Sequence, residues 1–352
     1  MKKKLELLQI FRGFAAMLVV LCHISGSTRP YFHTSFLGDI FFQGYIGVDF
    51  FFVLSGFIIT YVHFKDLIHC SNQTTFLKKR FIRIYPFYWI IATVYLLLIF
   101  LLDGKTNHLD HNMDFRSAQE WCFIVYSYLL LPVQPNFFLP VAWSLAYEVI
   151  FYITFFICIM TGLKTAKYIF FVWLAAVLLK MFLSELICIP NIILLNERIV
   201  AFLCGCFVAY LILKSYHLNV WIWAVALVLS LLCLVPDYPH ILLRPHGIMV
   251  LAIVMSLIIY RVVIIDITRQ FRYPAILLLV GEASYSIYLS HLIFLSTLFR
   301  LFRIIVEKLH IYNSLILQSL IFILFLFTIA GGVLIFRFVE SPVLRFFNRK
   351  LL

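Results

Sequence analysis

Apolar residues in this chain neither alternate nor keep to one helical face. They come in unbroken runs of roughly 20, and a run of that length crosses the ~30 Å hydrocarbon core of a bilayer as an α-helix. Such runs occupy 5–26, 38–64, 84–102, 142–162, 166–187, 196–214, 218–235, 246–264, 276–300 and 315–339. The pattern predicts an all-α, polytopic transmembrane protein of about ten spans. The first run follows Met1-Lys2-Lys3-Lys4 directly, and no small-residue cleavage site precedes Arg12 and Gly13, so a retained span is expected rather than a cleaved signal. Loops between runs are short except for 103–141, which carries Asp103, Asp110 and Asp114 and is expected to hold a short helix at the membrane surface. No Gly/Ser linker, repeat or low-complexity tract divides the chain, which reads as one domain over 1–352.

Composition removes the soluble alternatives. Mean hydropathy is +1.03, and 64% of residues are hydrophobic against 12% charged, too few charges to cover a soluble surface of this length. A net charge of +12 would suggest nucleic acid in a soluble protein. Here the basic residues collect in alternate loops, 18 on one side and 8 on the other, with Arg12 and Lys180 inside runs. That asymmetry points to membrane topology, not a nucleic-acid partner, and places both termini and the 65–83 loop in the cytoplasm with 103–141 outside. Termini on one side require an even number of spans, as ten is. The eight cysteines are irregularly spaced, and Cys204 and Cys206 point different ways on a helix, so neither a disulfide framework nor a metal site is expected.

Ionisable groups inside hydrocarbon are costly and need a partner, a cavity or a function. Arg12 and His23 share the first span. Eleven residues at 100° each bring them within 20° of one face, roughly 16 Å apart along the axis. Asp49 sits among aromatics in Gly47-Val48-Asp49-Phe50-Phe51-Phe52, where Gly44, Gly47, Ser55 and Gly56 mark close helix packing. Asp49 reads equally well as the buried partner of a cation. In the basic cluster Lys78-Lys79-Arg80-Phe81-Ile82-Arg83, two guanidinium forks at i,i+3 suit a phosphate group, although ordinary cytoplasmic charge accounts for the cluster as well. Ser144 and Glu148 are i,i+4 neighbours at the start of the fourth span. Tyr285, Ser286, Tyr288 and His291 recur at helical spacing in the ninth. Polar helix–helix contacts explain either set alone. The predicted topology nevertheless gathers His23, Glu148 and His291 in the outer half of the membrane. Glu340-Ser341-Pro342 reads as a helix stop.

Taken together and in order, these segments resemble the acyltransferase-3 family of bacterial membrane acyltransferases, which includes O-acetyltransferases of O-antigens and exopolysaccharides. The matching pieces are Phe11-Arg12-Gly13 with His23; Gly47 to Phe52 with Ser55-Gly56-Phe57; Arg80-x-x-Arg83-x-Tyr85-Pro86; Trp143-Ser144-Leu145-x-x-Glu148; Tyr285-Ser286-x-Tyr288-Leu289-x-His291; and Glu340-Ser341-Pro342. The resemblance implies transfer of an acyl group, usually acetyl, from cytoplasmic acyl-CoA (acetyl-CoA as co-substrate, with no tightly bound cofactor) to a sugar hydroxyl. It implies His23 as the catalytic residue, Arg12 as its companion, and Arg80 and Arg83 beside the donor. Glu148 or Asp49 orients the imidazole, and the residues themselves do not choose between them. Ser144, Tyr285, Tyr288 and His291 complete the candidate substrate-binding set. Neutral imidazole suits the chemistry, since with an ordinary pKa of ~6.5 it can take a hydroxyl proton or itself accept an acyl group. Many relatives carry a further soluble domain after the last span. This chain stops at Leu352 and is expected to act without that domain or with a separate partner. The expected setting is the bacterial inner membrane, with membrane lipid, a glycan acceptor and acyl-CoA as partners. A transporter or flippase of lipid-linked glycans would also have buried charges in about ten spans, but would need no acyl donor. A purely structural subunit would not need so many intramembrane charges.

Overall fold

In lipid every backbone N–H and C=O must find its partner within the protein, and a helix does this within each segment. The computed structural model follows that rule. It describes residues 5–32, 34–101, 116–132, 136–184, 192–216, 218, 219, 221, 222, 225, 228, 245–269, 271–310 and 313–351, and among these no strand occurs. The helices are α1 (Glu6–Phe32), α2 (Ile46–His69), α3 (Gln73–Leu101), α4 (Ala118–Leu129), α5 (Trp143–Thr161), α6 (Leu163–Ser184), α7 (Ile199–Leu213), α8 (Pro245–Thr268), α9 (Ala275–Glu282), α10 (Ser284–Lys308), α11 (Ser314–Ile335) and α12 (Ser341–Leu351).

Among the described residues, eight helices are long and apolar enough to cross a membrane. The count of about ten included two further spans. One, 196–214, forms only the 15-residue α7; most of the other, 218–235, lies outside the described residues. Several boundaries also differ, among them the ninth predicted span, 276–300, which is α9 followed by α10 running on to Lys308. The second predicted span opens not as an α-helix but as 3-10 turns at Leu37–Asp39 and Phe42–Tyr45. The basic cluster is not a loop, because α3 runs unbroken from Gln73 and carries Lys78 to Arg83 on helix. Its Pro86 is tolerated as prolines in membrane helices are, where neighbours satisfy the freed carbonyl. Glu340-Ser341-Pro342 is not a stop either. The chain passes without a break from α11 through a π-helical turn, Phe336–Glu340, into α12, so that the widened turn just before Ser341 carries the helix past Pro342, which has no N–H to donate.

The chain divides into two compact units, each assembled from three separated stretches, which is why no linker is legible along it. The first comprises Met1–Leu8, Val48–Arg80 and Ala146–Tyr273. Its α2 and α7 touch backbone to backbone: a Cβ at Gly56 would collide with the Phe202 carbonyl, and one at Gly205 with that of Val53. The Phe202 ring stacks at 4.8 Å on both Phe52 and Phe151. Asp266, buried on α8, accepts from the N–H groups of Leu7 and Leu8 at 3.0 Å each, satisfying first-turn donors of α1 that have no intrahelical partner.

The second unit comprises Gln9–Gly47, Phe81–Leu145 and Pro274–Leu352. The short helix expected within 103–141 is α4, capped by Ser117 Oγ on Gln119 N and closed by left-handed Leu130. Of its last-turn carbonyls, that of Tyr126 takes the Leu131 N–H, and the next three take side-chain donors from α3. Tyr88 Oη donates to Ser127 (2.6 Å), Trp89 Nε1 to Tyr128 (3.0 Å) and Tyr85 Oη to Leu129 (3.1 Å).

Candidate functional site

In the second unit, α1 and α10 bring two imidazoles together. His23 is half-buried and His291 fully buried, and their ring centroids lie 5.0 Å apart at 47°. His291 Nδ1 is 2.6 Å from the Tyr288 carbonyl one turn back. A carbonyl only accepts, so Nδ1 carries the proton, and in the neutral ring the lone pair sits on Nε2. Tyr288 Oη bonds Ser144 Oγ at 2.8 Å and the Val141 carbonyl at 3.2 Å, while Ser144 Oγ reaches the same carbonyl at 3.0 Å. Four residues singled out in the sequence, His23, Ser144, Tyr288 and His291, therefore share one unit and one connected set of contacts. Arg12 stands on the same unbroken α1 as His23, half-buried, so the eleven-residue spacing and shared face predicted from the sequence carry over.

The same unit holds a second cluster. Arg83 Nη1 is 2.7 Å from Oε1 of Glu340, whose side chain is 0% exposed. Ser286 Oγ donates to Glu340 Oε2 at 2.6 Å. The Arg83 guanidinium also lies 4.8 Å from the centre of the Tyr285 ring, and Tyr285 Oη donates to the Ile84 carbonyl at 3.2 Å. Here the carboxylate has both oxygens engaged, and the guanidinium has a charge partner and an aromatic face.

The first unit contains Asp49, Glu148 and Arg80. Asp49, 1% exposed, pairs with half-buried Arg198 Nη1 at 3.3 Å, in keeping with the structural reading of Asp49 as the buried partner of a cation. Glu148 Oε1 accepts from Ser55 Oγ at 2.8 Å and from Tyr152 Oη at 2.6 Å. Arg80 lies 5.6 Å from the Phe76 ring centre and 5.7 Å from that of Tyr152, with Nη2 3.4 Å from His63 Nε2. The other ring nitrogen of His63 is 2.7 Å from Asp66. Lys180, a charge inside a predicted span, has Glu197 at 3.8 Å.

Sequence reasoning missed several of these partners. Glu340 was expected to end a helix, and Arg198 counted only toward topology. Tyr152, four residues after Glu148, and Asp66, three after His63, carried a helical-spacing signal that was there to be read.

Comparison with known proteins agrees with the segments quoted above. A family model described as an acyltransferase domain matches residues 6–337. The acyltransferase MdmB of Streptomyces mycarofaciens is 32% identical over 149 residues, covering 41% of this chain and 36% of that protein, so the match spans about a third of the relative's length. Protein 2 in the picA locus of Rhizobium radiobacter is 29% identical over 156 residues, covering 41% of this chain and 76% of that protein. No solved structure matches significantly. With nearly its whole length matched by the family model, the chain belongs to the acyltransferase-3 family of membrane acyltransferases.

Proposed function

We propose that this protein is an O-acyltransferase of the bacterial inner membrane that moves an acetyl group from cytoplasmic acetyl-CoA to a hydroxyl of a cell-envelope glycan. The observation that carries the reading, beside family membership, is the His23–His291 pair within the hydroxyl-rich cluster of Ser144 and Tyr288. In this reading neutral His23 takes the proton of the acceptor hydroxyl as its oxygen attacks the thioester carbonyl. The C–S bond breaks, and CoA leaves as the thiol with the proton returned to sulfur. His291, its Nδ1 proton committed to the Tyr288 carbonyl, holds the ring against which His23 packs. Ser144, Tyr288 and Tyr285 offer hydroxyls for a sugar.

Arg12 binds the CoA phosphates from the cytoplasmic side, with Arg83 of the same unit extending that basic face. The roughly 16 Å between Arg12 and His23 along α1 suits an extended pantetheine arm, so that the acyl group alone need travel inward. Glu148 and Asp49 orient their own neighbours, Ser55 with Tyr152 and Arg198. The reaction is tested with membranes given radiolabelled acetyl-CoA. Label is expected in base-labile ester on envelope polysaccharide, and only when the gene is present. Movement of a lipid-linked glycan without any need for acetyl-CoA would replace the enzyme by a transporter.

Sidedness has its own test. Compartment reporters fused after Leu352 and within 103–141 are expected to give opposite signals, cytoplasmic and external, on the 18-to-8 charge asymmetry. Identical signals would reject an even span number with both termini inside.

A further inference from the structure

The first unit holds a cavity of about 750 Å³ bounded by α2, α6, α7 and α8, within the ~300–1,000 Å³ usual for ligand sites. No part of the acyl-transfer reading uses it. Its walls are apolar almost throughout, and Phe171, Phe207 and Ile253, which border it, are exposed on the surface a bilayer would cover. Along α6 it reaches from Leu163 to Leu174, and along α7 from Val200 to Leu211. Eleven residues of helix make ~16 Å in each case, about half the ~30 Å hydrocarbon thickness. The slot therefore has the length of one leaflet, not of the whole membrane.

One end of the slot is basic. Lys167, in the first turns of α6, lines it with Nζ 5.2 Å from the Tyr210 ring centre near the end of α7. Lys164 precedes it on α6, Lys214 follows α7, and Lys65 lies in the last turns of α2. The end of α2 meets the start of α6, since Gly162 abuts Cys70 and the Leu67 carbonyl. The acidic residue at this end, Asp66, is engaged by His63, Ser71 and Asn72. Deeper in the slot the Thr60 hydroxyl, 5% exposed, has no oxygen or nitrogen partner within reach. Beside it is the Cys206 thiol, a weak hydrogen-bonding group.

We propose that this slot binds one anionic glycerophospholipid, with an acyl chain between α6 and α7 and the headgroup phosphate at the Lys167 end. A half-bilayer length, apolar walls and a basic mouth together match that molecule. A zwitterionic lipid would lack the net charge for the lysines. The site is separate in its residues from those assigned to acyl transfer.

The test uses full-length protein purified in mild detergent and exchanged into mixed micelles, with bound lipid read by native mass spectrometry. Phosphatidylglycerol should be retained at one per chain, while phosphatidylcholine should be lost. Lys167→Ala should reduce phosphatidylglycerol retention roughly fivefold, the weight of one basic residue beside an anionic headgroup. Cys204→Phe, which fills the slot, should abolish retention in monodisperse protein. If that variant does not fold, Lys167→Ala and the smaller intrusion Ser256→Leu decide. Equal retention of the two phospholipids, or full retention by Lys167→Ala and the filled variant, would overturn the proposal. So would preferential retention of a long-chain isoprenyl phosphate over phosphatidylglycerol, which would make the slot an isoprenoid site.

Discussion

His23→Ala is expected to lower acyl transfer by about 10²–10⁴-fold, the contribution of a positioned general base, while leaving CoA binding within a few-fold. In the proposed reading the imidazole meets the acyl end of the donor and not its phosphates. Arg12→Ala is expected to do the reverse, weakening CoA binding measured by calorimetry on purified protein, because a guanidinium that holds phosphate acts before chemistry begins. The pH profile adds a readout that a structural role would not move. A general base works only when neutral, so wild-type turnover falls as pH drops through the pKa of the essential imidazole. The residual rate of His23→Ala should lack that acid limb. His291→Ala should lower turnover less than His23→Ala does, since His291 positions a ring and does not take the proton. It should also cost stability, because a fully buried ring is removed. If His23→Ala keeps wild-type turnover, or if it loses CoA binding while Arg12→Ala keeps it, this division of roles is wrong. A covalent acyl-His23 intermediate would show instead as label on the protein before acceptor is added.

What the chain disclosed in advance follows from the physics of lipid. Runs of apolar residues read as helices because hydrocarbon leaves the backbone no other way to satisfy itself, so α5, α6, α8 and α11 fall within a few residues of their predicted limits, while α1 runs on to Phe32 and the predicted 276–300 span is α9 followed by α10, which ends at Lys308. Charges inside those runs flagged the polar clusters for the same reason. Pairing was much less legible. Asp49 and Arg198 are 149 positions apart, and Arg83 and Glu340 are 257 apart. Nothing local announces contacts of that kind. Ser144 and Glu148 looked like one pair at i,i+4, yet other partners claim each separately: Tyr288 on another helix for the serine, and for the glutamate Ser55 on α2 with Tyr152 one turn on along α5. Helix ends were also misjudged where the local signal was ambiguous. A proline after a serine stops some helices and is accommodated inside others, and only the π-helical turn before Ser341 shows that the helix continues here.

Arg83→Ala is expected to destabilise the protein by about 3–5 kcal/mol, the usual result of stripping the partner from a buried charge, with a large fall in membrane abundance. Sequence alone suggested a surface guanidinium free to hold a phosphate, whose loss would leave abundance normal. The geometry changes that expectation. Glu340 is wholly buried and its oxygens are held by Arg83 at 2.7 Å and Ser286 at 2.6 Å. Removing the guanidinium leaves a carboxylate that must either stay charged in a low-dielectric site or take up a proton. Glu340→Gln in the Arg83→Ala background removes the orphaned charge, keeps the shape and still accepts from Ser286. The double variant should recover much of the loss, giving a coupling energy well outside additivity. Arg83→Lys should recover only part, since an ammonium lacks the planar fork that also lies on the Tyr285 ring. Thermal midpoints in detergent decide the stability question, and the KM for acetyl-CoA in Arg83→Ala/Glu340→Gln decides what remains of a donor-binding role. A raised KM in that stable double variant would give Arg83 both tasks, and an unchanged KM would make it a positioning residue alone. A single variant with wild-type midpoint and abundance would refute the buried-pair account.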